Sequence, residues 1–233
     1  YSVTEGYLYS LNIVFAQIAL DVGTVRMREY AERFGFGKAI PFNGPSGATN
    51  PTGATSRVSN DPNYLSNKPA LADTGFGQGE LLVSPLHMAL VTAAMTNGGK
   101  MPEPYIVGAV RAPNGDLLAQ TRAQTWLTPV SGNTAEQVRK LMVESVNSGG
   151  SQGARINGLV VGGKTGTAEI GEADENGRYD RQHAWFTCFA PFDDPEIAVA
   201  VIVEDGGEGS AYAVPVADRV VRAWFEISGR RAR

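Results

Sequence analysis

Between Leu8 and Leu20 the chain reads LYSLNIVFAQIAL, apolar on most faces, a pattern that predicts a buried helix. The next stretch, TVRMREYAERFG over residues 24–35, mixes charged and apolar positions at helical spacing and predicts an amphipathic helix stopped by Gly35. From Gly37 to about Lys68 the periodicity gives way to Gly, Pro, Asn and Ser, which predicts a long irregular connection of the kind that often carries function. Residues 84–99, SPLHMALVTAAMTNGG, predict a helix with Ser84 as its cap, Pro85 at its first position and Gly98-Gly99 as its stop. Two strands are expected within residues 105–120 around the turn APNGD. NTAEQVRKLMVESVN, residues 133–147, predicts a further amphipathic helix, with Asn133 and Glu136 at capping-box spacing.

The last third changes character. GLVVGGKTGTAEI (158–170) and HAWFTCFAPF (183–192) are strand-like and flank the polar, acidic stretch 171–182. EIAVAVIVED (196–205) holds a continuous apolar run, which predicts a strand buried on both faces. AVPVADRVVRAWFEI predicts a closing helix with Ala217, Val220, Val221, Trp224 and Phe225 on one face. Helices and strands thus mix in one α/β chain of the α+β type, with no internal repeat.

Composition narrows the function classes. The chain has 233 residues, 42% of them hydrophobic and 19% charged, enough for a substantial core. A formal net charge of -4 gives no basic footprint for nucleic acid, and the GRRAR end reads as a solvated terminus. The single cysteine, Cys188, sits in an apolar run and is expected in the core. His87 and His183 are too few for a His-rich metal site, and no cofactor is expected. There is no run of membrane-spanning length and no leader pattern. The opening YSVTEGYLYSLN lacks an initiator methionine, so the chain is expected to be a piece of something longer.

Residues 158–165 fit G-x-x-x-x-G-K-[ST], the phosphate-binding loop, letter for letter. That loop requires an open glycine turn and a helix starting at the Lys-Thr. Here Leu159, Val160 and Val161 occupy the supposed loop, Gly166 follows the Lys-Thr at once, and nothing downstream is helical in pattern. The residues read better as a strand ending in Lys164-Thr165-Gly166-Thr167. A Gly-rich strand with a solvated lysine would suffice if the motif stood alone.

It does not stand alone. Ser10-Leu11-Asn12 forms an S-x-N triplet, whose polar groups within a buried helix need partners. S-x-N and K-T-G are two of the three signatures of penicillin-binding proteins and serine β-lactamases. FGFG (34–37), GFGQGELLVSPLHMALVTAAMTNGG (75–99) and HAWFTCFAP (183–191) follow in matching order. Essentially the whole chain resembles the C-terminal part of a monofunctional, class B penicillin-binding protein transpeptidase domain. The resemblance implies the penicillin-binding/β-lactamase-like fold, an antiparallel sheet packed between helices, with two N-terminal strands and the nucleophile helix outside this chain. It implies a peptidoglycan D,D-transpeptidase that forms a serine acyl-enzyme on a stem peptide ending in D-Ala-D-Ala and is a target of β-lactams. Ser10 would relay a proton to the leaving amine. Lys164 would orient Ser10 and attract the terminal carboxylate. Thr165 and Thr167 hydroxyls would bind that carboxylate, and the Thr167 N–H would serve the oxyanion hole. Gly166 would let the substrate lie along the strand, and Asn12 would bond the substrate amide and the lysine of the first motif. The resemblance also implies the extracytoplasmic face of a bacterial membrane, an upstream anchor and the N-terminal part of the same protein as a partner. A β-lactamase, a β-lactam sensor and a non-catalytic peptide-binding module share these signatures.

No S-x-x-K occurs in the sequence: Ser66 has Lys68 two positions on, and Ser228 has Arg231, which cannot act as a base. The nucleophile is therefore expected upstream of Tyr1. The acidic residues Glu169, Glu172, Asp174 and Glu175, and the group Glu204, Asp205 and Glu208, read as a solvated hairpin and a loop before the last helix rather than as metal sites. His183 and Trp185 are expected to pack beside the K-T-G-T strand.

Overall fold

A computed structural model of the chain describes residues 1–45, 50–171, 174–175 and 179–229. The chain begins with α1 (Val3–Leu8) and α2 (Asn12–Arg33). A capping box fixes the start of α1, where Ser2 Oγ accepts the Glu5 N–H and Glu5 returns a bond to the Ser2 N–H. The sequence predicts one buried helix over residues 8–20; instead Tyr9, Ser10 and Leu11 break it, with Ser10 in the left-handed region at φ 52°. The expected second helix is the continuation of α2 beyond a kink at Gly23, whose φ is 77°. Burial is also corrected, since Ala19 is the one buried residue of α2 and Ile13 is 73% exposed. Among the described elements α2 meets α1, α3 and the turn at Tyr64–Ser66, which leave its other side open.

The long connection holds the short pair β1 (Ile40–Pro41) and β2 (Thr52–Gly53), then α3 (Lys68–Gly75). In α4 (Pro85–Thr96) the cap is as expected, with Ser84 Oγ accepting the His87 N–H at 3.2 Å. β3 (Met101–Pro102) pairs with β6 (Thr125–Leu127), and β4 (Ala109–Arg111) with β5 (Leu117–Gln120) as the expected hairpin. α5 spans Gly132–Asn147, and its cap is Ser131 rather than Asn133, because Ser131 Oγ accepts the Thr134 N–H at 3.1 Å.

The main sheet is antiparallel in the order β7 (Gly162–Ile170), β8 (Arg181–Ala190), β9 (Ile197–Val203). Ala184, Phe186, Cys188 and Ala190 alternate onto the face covered by α6 (Gly209–Ile227), where they meet Ala213, Val214, Ala217, Val221 and Phe225. The opposite face meets α4, where Thr92 and Thr187 hydroxyls bond each other inside the core. Val220 and Trp224, expected on the buried face of α6, are each 42% exposed. They flank the buried stripe and, with Tyr212, Val216 and Ile227, make an outward apolar line. β9 packs between α4 and α6 and is half-buried on both faces rather than fully buried. Of its residues only Val199 is buried, and its outer edge pairs with no described strand.

Candidate active site

β7 answers the question of the glycines. Gly162 and Gly163 lie in extended strand and no helix begins at Lys164, so the phosphate-loop geometry is absent. The two glycines are there because rings cover them. A Cβ at Gly163 would come within 2.5 Å of Phe186 Cζ, and one at Gly162 would strike the Phe189 ring.

The turn between α1 and α2 brings Ser10 to this strand. Lys164 Nζ donates to Ser10 Oγ across 154 residues of sequence, and donates also to Thr165 O at 2.9 Å. The Tyr7 ring stands 5.8 Å from the ammonium. Burial pulls the Lys164 ammonium from its ordinary 10.5 down to about 8. Burial also pushes the Tyr7 phenol up. The left-handed backbone at Ser10 is an uncommon state for a residue with a Cβ, and here it coincides with the aim of Oγ at Lys164.

A second set of bonds locks the turn to the strand. Gly150 N–H donates to Leu8 O at 3.0 Å, which ties the end of α1 to the loop after α5. In the same loop Ser151 Oγ accepts the Thr165 N–H at 3.2 Å and bonds Ser145 Oγ at 3.0 Å. Ser145 and Ser151 are both fully buried.

The outer edge of β7 can then be followed group by group. In antiparallel pairing, alternate residues turn both backbone groups away from the neighbouring strand. Thr165 and Glu169 are such residues, since their N–H groups go to Ser151 and to Gln78 Oε1, the latter at 3.3 Å. By the same alternation and an unbroken register, the Thr167 N–H points outward from the sheet. Thr167 O accepts from Gln78 Nε2 at 2.9 Å. Thr167 Oγ1 is met by the Gly209 N–H at 3.5 Å, at the start of α6. Gly209 can approach only because it lacks a Cβ, which would collide with Gly166 O and Trp185 O.

Ser10, Asn12, Lys164, Thr165, Gly166 and Thr167 all line one cleft of about 710 Å³, with Tyr7, Gln78 and Glu208 among its other walls. Asn12 is exposed at the start of α2, and its carboxamide has no hydrogen-bond partner among the described residues. At Gly166 the crowding comes from the neighbouring strand: a Cβ would sit 3.3 Å from Trp185 Cβ. Sequence reasoning missed Tyr7, Gln78 and Ser151. GQG was visible as a fragment without a role, and neither Tyr7 nor Ser151 stands in a motif.

Of the acidic groups, Asp205 is engaged away from any metal site. Asp205 pairs with Arg181 at 2.9 Å and donates its N–H to His183 Nδ1 at 3.1 Å. Glu208 is the N-cap residue of α6, and Glu172 lies outside the described residues. Among the described residues no three His, Cys, Asp or Glu side chains converge as a metal site. Cys188 is buried in the core, which pushes its thiol up to about 12.

Comparison with known proteins identifies relatives of this fold. Residues 1–225 match the family model described as penicillin binding protein transpeptidase domain. The peptidoglycan D,D-transpeptidase PbpA of Mycolicibacterium smegmatis is 31% identical over 230 residues, which cover 95% of this chain and 43% of that protein. MrdA of Haemophilus influenzae, also a peptidoglycan D,D-transpeptidase, is 29% identical over 91% of this chain and 34% of its own length. Among solved structures, penicillin-binding protein A of M. tuberculosis as its ceftriaxone acyl-enzyme superposes with a TM-score of 0.82 at 31% identity, covering 95% of this chain and 48% of that one. The D,D-transpeptidase domain of a peptidoglycan glycosyltransferase from Eggerthella lenta gives 0.82 at 29% identity, covering 98% and 54%. The chain thus spans about half, or less, of the relatives it matches.

Proposed function

The chain belongs to the penicillin-binding protein transpeptidase domain family, and we propose that it supplies the S-x-N and K-T-G-T side of a serine D,D-transpeptidase active site. The observation that carries this reading is the Lys164–Ser10 contact beside a strand edge whose Thr167 N–H faces the cleft.

The substrate is a peptidoglycan stem peptide ending in D-Ala-D-Ala, and β-lactams enter as its mimics. A serine hydroxyl attacks the penultimate D-Ala carbonyl. An ester bond to the enzyme forms, the amide bond to the terminal D-Ala breaks, and the proton passes through Ser10 to the departing amine. Lys164 holds Ser10 in line and adds positive charge for the substrate carboxylate, which Thr165 and Thr167 hydroxyls bind. The Thr167 N–H donates to the carbonyl oxygen as it gains charge; a donor of this kind is worth ~3 kcal/mol of barrier. An amine from a neighbouring stem peptide then attacks the ester, forms the cross-link amide and frees the serine.

The attacking serine belongs to an S-x-x-K helix in an upstream segment. That segment also pairs along β9 and covers the apolar line on α6. Two features support it: an apolar strand edge with no described partner is an aggregation hazard, and the α6 line extends over several turns. No helix among the described residues is long and apolar enough to cross a membrane. The extracytoplasmic location therefore rests on an anchor in the upstream segment.

Fluorescent penicillin tests this in the full-length protein. We expect a covalent label that persists for hours, formed roughly 10²- to 10⁴-fold more slowly in Ser10→Ala, the range for loss of a proton-transfer group. An unchanged rate in Ser10→Ala overturns the assignment, and rapid release of hydrolysed penicillin assigns a β-lactamase instead.

A further inference from the structure

Gln78 occupies the part of β7 that an added peptide strand would need. Its Nε2 donates to Thr167 O at 2.9 Å, and its Oε1 accepts the Glu169 N–H at 3.3 Å. One carboxamide thereby satisfies an acceptor and a donor on either side of Ala168, as one residue of a parallel neighbour or two alternate residues of an antiparallel one do. This is a built arrangement. The Gln78 N–H is tied to Asp73 O at 2.9 Å, and Gly77 and Gly79 on either side sit at φ 87° and 76°. A side chain at Gly79 would strike the Tyr64 hydroxyl, which itself accepts the Glu80 N–H at 3.1 Å. The loop therefore presents the Gln78 side chain to the strand from a fixed backbone.

The position matters for the reaction proposed above, on which this inference rests. If the substrate carboxylate lies at Thr165 and Thr167 and its reacting carbonyl at the Thr167 N–H, the rest of the stem peptide continues toward residue 169. The groups it would pair with there are Thr167 O and the Glu169 N–H, the two that Gln78 already holds. Strand addition draws affinity from such main-chain bonds. We infer that Gln78 is a specificity-determining residue that competes with the acyl donor for the edge of β7. It leaves the Thr167 N–H open for the reacting carbonyl and makes the amides beyond that carbonyl displace a side chain before they bind.

The test compares two penams on the full-length protein. Benzylpenicillin carries a side-chain amide beyond its lactam carbonyl; penicillanic acid has the same lactam and carboxylate without that amide. Saturation of the acylation rate, followed by intact mass, separates the dissociation constant from the rate constant. Removing one competing hydrogen bond should tighten benzylpenicillin relative to penicillanic acid by about 3- to 10-fold in Gln78→Ala, with the change carried by the dissociation constant. Gln78→Glu supplies a readout that a merely structural role would not move. Its carboxylate cannot donate to Thr167 O, so at neutral pH it should favour benzylpenicillin as Gln78→Ala does. As pH falls and the carboxyl protonates, it regains a donor and the preference should return to the wild-type value. A wild type that is acylated normally, with the same relative affinity in all three proteins, overturns the role of Gln78 and leaves the transpeptidase reading standing. Equal losses for both penams make Gln78 structural and also overturn it. A wild type acylated by neither penam overturns the underlying reading and this one with it.

Discussion

Lys164→Met should make the protein more stable while disabling it. The ammonium sits in a cleft that lowers its proton affinity from the ordinary 10.5 to about 8. Holding it charged at pH 7 therefore costs on the order of 3 kcal/mol relative to an exposed lysine. Methionine keeps the length and apolar character of the stem without the charge. It gives up the bonds to Ser10 Oγ and Thr165 O, each worth about 1 kcal/mol net. The expected gain is thus roughly 1–2 kcal/mol at pH 7 after that loss. Urea unfolding of the full-length protein and its variant measures it. The sign has a pH signature. Below about 8 lysine is charged in both states and the wild type carries the whole penalty. Between about 8 and 10.5 the unfolded chain binds more protons than the folded one, so wild-type stability rises with pH and the variant's advantage disappears. Acylation by carboxylate-bearing β-lactams should fall over the same lower limit, as the lysine loses its charge. A variant less stable than wild type at pH 7, or a difference independent of pH up to 10.5, would refute the view that charge burial dominates at this residue.

Three other outcomes are expected. Thr167→Val removes a hydroxyl from the carboxylate site and keeps the backbone N–H, so β-lactam affinity should drop roughly 10- to 100-fold at a preserved acylation rate constant; normal affinity argues against the hydroxyl's role. Gly163→Ala should destabilise by about 1–3 kcal/mol in thermal unfolding, because Phe186 is almost fully buried and cannot retreat from the new methyl. His87 is buried with Nε2 bonded to Phe34 O at 2.7 Å and Nδ1 without a hydrogen-bond partner among the described residues, and burial holds its proton affinity below the ordinary 6.5. Its folded state resists protonation, so stability should fall as pH drops below about 6.5, by up to ~1.4 kcal/mol per pH unit; the slope should lessen in His87→Gln, and an identical slope in both would exclude this histidine as its source.

What could be read from the sequence follows from how local the determining physics is. The K-T-G-T strand was legible because apolar residues run straight through the supposed phosphate loop, and the Gly-Gly pair is explained by Phe186 and Phe189 on the adjacent strand. The hairpin around APNGD and the Ser84 cap are also set by neighbours in sequence. The break at Tyr9–Leu11 was not legible. No Gly or Pro marks it, and the left-handed residue is a serine held there by contacts with β7. At α5 the cap lies two residues before the expected Asn133, because the Ser131 hydroxyl reaches the Thr134 N–H. The apolar positions of α2, and Val220 and Trp224 of α6, are less buried than their pattern predicts, since burial depends on what lies opposite each face, while β9 falls short through its open edge. Gln78 was invisible for a similar reason: its partner, Thr167, is 89 residues away and uses a backbone oxygen that no side-chain pattern records.

Three polar groups of the cleft are each held by a bond from a different part of the chain. Ser10 is presented by a turn that ends α1, Thr165 by the loop after α5, and the edge at Thr167 by the loop after α3. Of these, the bonds through Ser145, Ser151 and Leu8 O are away from the groups assigned to substrate, so they can stay in place through a turnover. The bond from Gln78 cannot, if a peptide is to pair past Thr167. The cleft therefore combines a fixed side, where Lys164, Ser10 and the Thr167 N–H keep their geometry, with an exchangeable side, where a substrate amide replaces a carboxamide of the same chemistry. That division follows from which atoms are bonded to scaffold and which to a side chain lining the cleft. It places the discrimination between acyl donors on the segment 76–80 rather than on the K-T-G-T residues.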